Sequence, residues 1–129
     1  IDQMKRSEEL TSCDPKLKKL DLVVAASYGG RWDIVNAIQK LQESSPNETI
    51  TEDIFSSYLS TSAFEDPDLC IRTGNELRVS NFLLWQLAYS ELYFPNILWP
   101  DFDDNQFEFA LKEYSKRTRR FGDKSNFKQ

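Results

Sequence analysis

Leu69-Cys70-Ile71-Arg72-Thr73-Gly74-Asn75-Glu76-Leu77-Arg78-Val79-Ser80-Asn81-Phe82-Leu83-Leu84-Trp85 lies in the second half of a 129-residue chain. Leu69, Cys70 and Ile71 are apolar, with Asp66-Pro67-Asp68 before them and Thr73-Gly74-Asn75 after them. That pattern predicts a short buried strand closed by a turn, which puts Arg72 at the strand's carboxyl end. Ser80 stands just ahead of Phe82, Leu83, Leu84 and Trp85 as a helix cap does, its hydroxyl available to an orphan amide of the first turn. Arg78 lies two residues before that cap. Two guanidiniums, a hydroxyl and the positive end of a helix on one loop suit an anion, above all a phosphate or diphosphate.

The fold follows from what flanks this loop. Residues 20–26 (Leu-Asp-Leu-Val-Val-Ala-Ala) are apolar almost throughout and β-branched at the centre. They are too few for a helix, which predicts a strand buried on both faces of a parallel sheet. Ser27-Tyr28-Gly29-Gly30-Arg31 follows, and then Trp32, Ile34, Val35, Ala37, Ile38 and Leu41 mark an amphipathic helix. Gly29-Gly30 fits a tight turn, and it also fits a backbone cradle for phosphate. Thr51-Glu52-Asp53 opens a second helix bearing Ile54, Phe55, Tyr58 and Leu59.

Downstream, residues 82–89 are apolar nearly all round, so the helix expected there must be buried or must meet another subunit. Residues 91–94 (Glu-Leu-Tyr-Phe) are the third strand candidate. Glu91 is its odd member, and is either ion-paired to an arginine or turned toward a metal or a polar pocket. Pro95 and Pro100 bracket an ordered connection. Asp101, Asp103 and Asp104 then favour the start of a last helix with Phe107, Ala110, Leu111 and Tyr114 as its buried stripe. Lys116, Arg117, Arg119 and Arg120 complement that helix's dipole, which leaves room for a second anion contact. Residues 123–129 read as a frayed tail.

Strands alternating with helices make the class α/β, a parallel sheet flanked by helices. Three strands make a thin sheet, so strands from a missing part of the chain or from a partner are expected to complete it. Ile1 rather than methionine opens the chain, and residues 1–10 read as a helix already under way. Both features predict a chain that begins in mid-protein and forms one portion of a single domain.

Composition narrows the function. Sixteen basic against 21 acidic residues give a net charge of -5, so general attraction to nucleic acid is not expected and an anion site must be a local basic pocket. The chain has no histidine, which removes imidazole acid–base catalysis, imidazole triads and the usual zinc ligand sets. Cys13 and Cys70 match no ligand spacing and read as free thiols of a reducing, cytoplasmic compartment. No apolar run approaches the roughly 18 residues of a membrane span.

Ser27-Tyr28-Gly29-Gly30-Arg31-Trp32-Asp33-Ile34-Val35, Asp66-Pro67-Asp68-Leu69 with Ile71-Arg72-Thr73-Gly74, Arg78 with residues 80–85, and residues 91–102 together closely resemble the carboxyl-terminal half of cis-prenyltransferases of the undecaprenyl and dehydrodolichyl diphosphate synthase type. The resemblance implies an enzyme that condenses isopentenyl diphosphate repeatedly, in cis, onto an allylic diphosphate such as farnesyl diphosphate, with Mg2+. It implies that Arg72, Arg78 and Ser80 bind isopentenyl diphosphate and that Glu91 reaches toward magnesium near a dimer interface. Arg120 and Gly122 fit the family's terminal Arg-x-Gly motif, which completes a neighbouring subunit's diphosphate site in a homodimer. It also allows peripheral contact with a membrane for release of a lipid product, at the endoplasmic reticulum or an organelle in a eukaryote.

Two departures stand out. Ser27 occupies a position where the family usually has asparagine, and Asn75 one where a second glycine or serine is common. The family's amino-terminal Asp-Gly-Asn-Arg-Arg segment, whose aspartate carries the essential magnesium-diphosphate role, has no counterpart in these residues, so the segment alone is expected to be inactive. The second expectation is a non-catalytic accessory subunit that lends Arg120 and Gly122 to a catalytic partner. A generic α/β anion-binding module is the third.

Overall fold

The computed structural model describes Arg6 and residues 20–117. Helix α1 (Gly30–Ser44) is followed by α2 (Glu52–Ser57), strand β1 (Leu69–Ile71), strand β2 (Glu91–Tyr93), a 3-10 turn (Trp99–Asp101) and helix α3 (Asp104–Ser115). The two strands pair in parallel, Leu69 opposite Glu91, Cys70 opposite Leu92 and Ile71 opposite Tyr93. The ladder extends past its ends, because Glu91 N donates to the Asp68 carbonyl at 2.9 Å and Arg72 N donates to the Tyr93 carbonyl at 3.0 Å.

Local chemistry explains most element boundaries. Thr51 starts α2 by accepting from the Ile54 amide at 3.2 Å, and Asp103 starts α3 by accepting from the Gln106 amide at 3.0 Å. That backbone bond holds the Asp103 carboxyl below the usual carboxylate range. One side of α1 packs onto α2, giving a core of Ala37, Phe55 and Leu59 flanked by Ile34, Tyr58 and Trp85. Phe55 and Trp85 meet edge to face with ring centroids 4.6 Å apart. At the far end, the Ser44 hydroxyl bridges the helices through the Lys40 carbonyl at 2.8 Å and the Tyr58 hydroxyl at 2.7 Å.

Three sequence expectations change here. Residues 20–26 form no strand, and Leu20 and Leu22 are 82% and 85% exposed. A strand buried on both faces needs neighbours to take its amides and carbonyls, and among the described residues the sheet is β1 and β2 alone. Residues 82–89 are a succession of turns rather than a helix, and Ser80 caps nothing helical. Ser80, Asn81 and Leu83 hold φ values of 47°, 63° and 43°, in the left-handed region that no right-handed helix can pass through. Of the stripe expected on α3, Ala110 is buried and Tyr114 half-buried, but Phe107 and Leu111 are exposed, since no described element covers that side.

Candidate functional site

Arg72 leaves the carboxyl end of β1, and the chain then turns sharply through Gly74 (φ 87°) and Asn75 (φ 58°). The Gly74 amide donates to the Ile97 carbonyl at 2.7 Å, which ties the turn to the segment after β2. From β1 the Arg72 guanidinium reaches over this turn and its Nη1 donates to the Arg78 carbonyl. The structure thereby brings the Arg72 guanidinium onto the loop that carries Arg78 and Ser80. The Arg78 guanidinium pairs with Glu76, with its side chain 65% exposed. Such a solvated pair is weak and is readily exchanged for a stronger anion. Ser80 is exposed on the same loop.

The loop is docked on α1. Gly30 N donates to the Asn81 carbonyl at 2.7 Å, and Arg31 N donates to Asn81 Oδ1 at 2.9 Å. Gly29 and Gly30 therefore serve a tight approach, and Asn81 occupies the amides that a phosphate cradle would have used.

Asp33 is fully buried in the first turn of α1. Its Oδ2 accepts from the Tyr28 hydroxyl at 3.0 Å and its Oδ1 from the Ser60 amide at 2.9 Å. Desolvation, reinforced by the hydrogen bond to Asp33 and by its negative charge, pushes the Tyr28 phenol up from 10.0 to about 12. The folded value lies above the unfolded one, so the stability this phenol contributes is intact below pH 10 and is lost as the pH climbs toward 12. In an alkaline absorbance titration, one of the five tyrosines is expected to ionise last, and Asp33→Asn to bring it back down. A wild-type curve without a late-titrating phenol would contradict the contact.

Sequence reasoning gave Asp33 and Asn81 no role of their own, as each depends on a partner remote in sequence. The only signal was a carboxylate on the face of α1 that also carries Ala37. Cys70 is a free, half-buried thiol pushed up by burial, with Arg72 pulling the other way; Cys13 lies outside the described residues. A cavity of about 290 Å³ beside α2 is lined by Asp53, Ser56, Ser57, Thr61, Asp66 and Trp85 among others, and neither Arg72 nor Arg78 lines it.

Glu91 takes the first of its two alternatives. Its Oε2 pairs with Arg117 Nη1 at 2.7 Å, and the same nitrogen donates to the Leu92 carbonyl at 2.9 Å, fastening the end of α3 to β2. Among the described residues no three acidic or thiol side chains come together as metal ligands. Arg120 and Gly122 lie outside the described residues.

A family model of undecaprenyl diphosphate synthases matches residues 1–122. The chain belongs to the undecaprenyl diphosphate synthase family. It is 49% identical over 126 residues to the ditrans,polycis-undecaprenyl-diphosphate synthase ((2E,6E)-farnesyl-diphosphate specific) of Photorhabdus laumondii, covering 94% of this chain and 48% of that one. It is 52% identical over 115 residues to an isoprenyl transferase of Aquifex aeolicus, covering 89% of this chain and 49% of the relative. Lavandulyl diphosphate synthase from Lavandula x intermedia, solved in complex with dimethylallyl diphosphate, superposes with a TM-score of 0.70 at 41% identity, over 75% of this chain and 44% of its own. The chain thus spans about half the length of the undecaprenyl diphosphate synthase relatives it matches. Membership of this family agrees with the α/β class, the parallel pairing of β1 with β2 and the position of Arg72 at a strand's carboxyl end.

Proposed function

We propose that this chain contributes the isopentenyl diphosphate site of a cis-prenyltransferase, an enzyme that lengthens an allylic diphosphate of the farnesyl type into a long-chain polyprenyl diphosphate. The observation that carries the reading is the hydrogen bond from Arg72 to the Arg78 carbonyl, which sets a guanidinium from a strand end against a loop bearing a second guanidinium and a hydroxyl. Arg72 and Arg78 supply fixed positive charge in a chain whose net charge is -5, so the attraction for a diphosphate is local to this loop. Glu76 releases Arg78 when the substrate offers a more highly charged partner. The Ser80 hydroxyl adds a neutral donor that fixes orientation.

In the condensation, the allylic carbon–oxygen bond breaks and diphosphate leaves. The role of Arg72, Arg78 and Ser80 is to hold the five-carbon acceptor by its own diphosphate while its double bond attacks. Three further parts of the reading come from family membership. These are Mg2+ as cofactor, a homodimer in which Arg120 and Gly122 complete a neighbouring subunit's diphosphate site, and peripheral membrane contact for the lipid product.

Full-length protein purified alone and supplied with radiolabelled isopentenyl diphosphate, farnesyl diphosphate and Mg2+ is expected to place label in a long-chain lipid. Label incorporated only after a second polypeptide is added would make this chain the accessory subunit instead. No incorporation, together with no binding of isopentenyl diphosphate, would reject the proposal.

A further inference from the structure

Asn81 ties the loop that carries Arg78 and Ser80 to the amino end of α1, and we infer that it is a positioning residue for both, fixing where isopentenyl diphosphate is held. The inference rests on the reading of Arg78 and Ser80 given above. Gly29, the cap residue of α1, is extended and offers no side-chain cap, so the first amides of the helix need an acceptor from elsewhere. Asn81, fifty residues away from Arg31, supplies two: its carbonyl to Gly30 N and its Oδ1 to Arg31 N. Both Ser80 and Asn81 sit at positive φ, a conformation asparagine tolerates better than other side chains beyond glycine.

Sterics close the clasp from the other side. A Cβ on Gly30 would stand 2.8 Å from Leu84 Cγ and 3.0 Å from the Leu84 amide nitrogen, and one on Gly29 would stand 3.1 Å from Asn81 Nδ2. The Leu84 amide is backbone and cannot swing aside as a flexible side-chain end can. The segment from residue 78 to residue 84 is therefore held at three points: the Arg72 guanidinium on the Arg78 carbonyl, Asn81 on the α1 amides, and Leu84 against Gly30. Arg78 is itself the first of these points, and Ser80 lies between the first and the second.

A cap that merely stabilised α1 would lower the melting temperature and leave substrate affinities alone. A positioning residue separates KM from kcat and one substrate from the other. Asn81→Gly keeps the backbone conformation and deletes Oδ1, whereas Gly30→Ala keeps Asn81 and pushes the loop away. In the full-length protein each is expected to raise the KM for isopentenyl diphosphate about five- to tenfold, the size of one lost hydrogen bond. The kcat and the KM for farnesyl diphosphate should stay within about twofold on that same scale. Asn81→Ser, which retains an acceptor of shorter reach, should fall between wild type and Asn81→Gly.

Arg78→Ala run alongside separates the two ideas. If it raises the isopentenyl diphosphate KM while Asn81→Gly and Gly30→Ala do not, the clasp is overturned and the substrate assignment stands. If Arg78→Ala also changes nothing, the assignment falls and takes the clasp with it. If Asn81→Gly and Gly30→Ala lower the melting temperature while both KM values stay at wild type, Asn81 is a structural cap alone.

Discussion

Arg72→Ala in the full-length protein is expected to raise the KM for isopentenyl diphosphate roughly a hundredfold, with kcat at saturation much less affected. On the proposed reading of the site, alanine removes a charge-assisted bond to the diphosphate, worth roughly 1.5–3 kcal/mol. It also releases the Arg78 carbonyl, so the loop carrying Arg78 and Ser80 loses its tether to β1. Together these amount to about 3 kcal/mol, or about two decades in affinity. Arg72→Lys keeps the charge but has no planar fork to serve the carbonyl and a phosphate together, and should recover only part of the loss. Steady-state kinetics with isopentenyl diphosphate varied and the allylic substrate fixed make the test. An unchanged KM would remove Arg72 from the site.

Phe55→Ala is the larger change in stability, at about 3 kcal/mol or more. Phe55 is 7% exposed and lies in the middle of the core with Ala37 and Leu59. Its ring meets Trp85, whose Nε1 donates to Ser56 on α2 at 3.0 Å. Truncation leaves a cavity between α1 and α2 and frees Trp85 on one side, and whole domains are stable by only about 5–15 kcal/mol. The midpoint of urea unfolding, followed by tryptophan fluorescence, should fall markedly while the slope stays the same. A change under about 1 kcal/mol would mean that this cluster is not the core it looks to be.

What the sequence made legible was what neighbours in the chain decide. Thr51 and Asp103 announce the starts of α2 and α3 by side-chain chemistry acting within three residues. Arg72, at the end of a short apolar run and six residues before Arg78, could be placed for the same reason. The misses come from remote partners. The apolar pattern of residues 82–89 is helical, yet Asn81 is drawn into the left-handed region where it docks on Gly30 and Arg31, and nothing near Asn81 foretells that. Residues 20–26 have strand composition, but pairing is supplied by other strands, so composition alone could not say whether the ladder would exist. Glu91 was open between an ion pair and a metal because its partner, Arg117, lies 26 residues on.

The stretch with bare Leu20, Leu22, Val23 and Val24 also has a practical consequence. Five apolar residues in a row, Leu22-Val23-Val24-Ala25-Ala26, with no proline among them, are a template on which identical copies can stack. Preparations in which this run stays uncovered will precipitate as concentration rises, and a single lysine at Val23 is the simplest remedy.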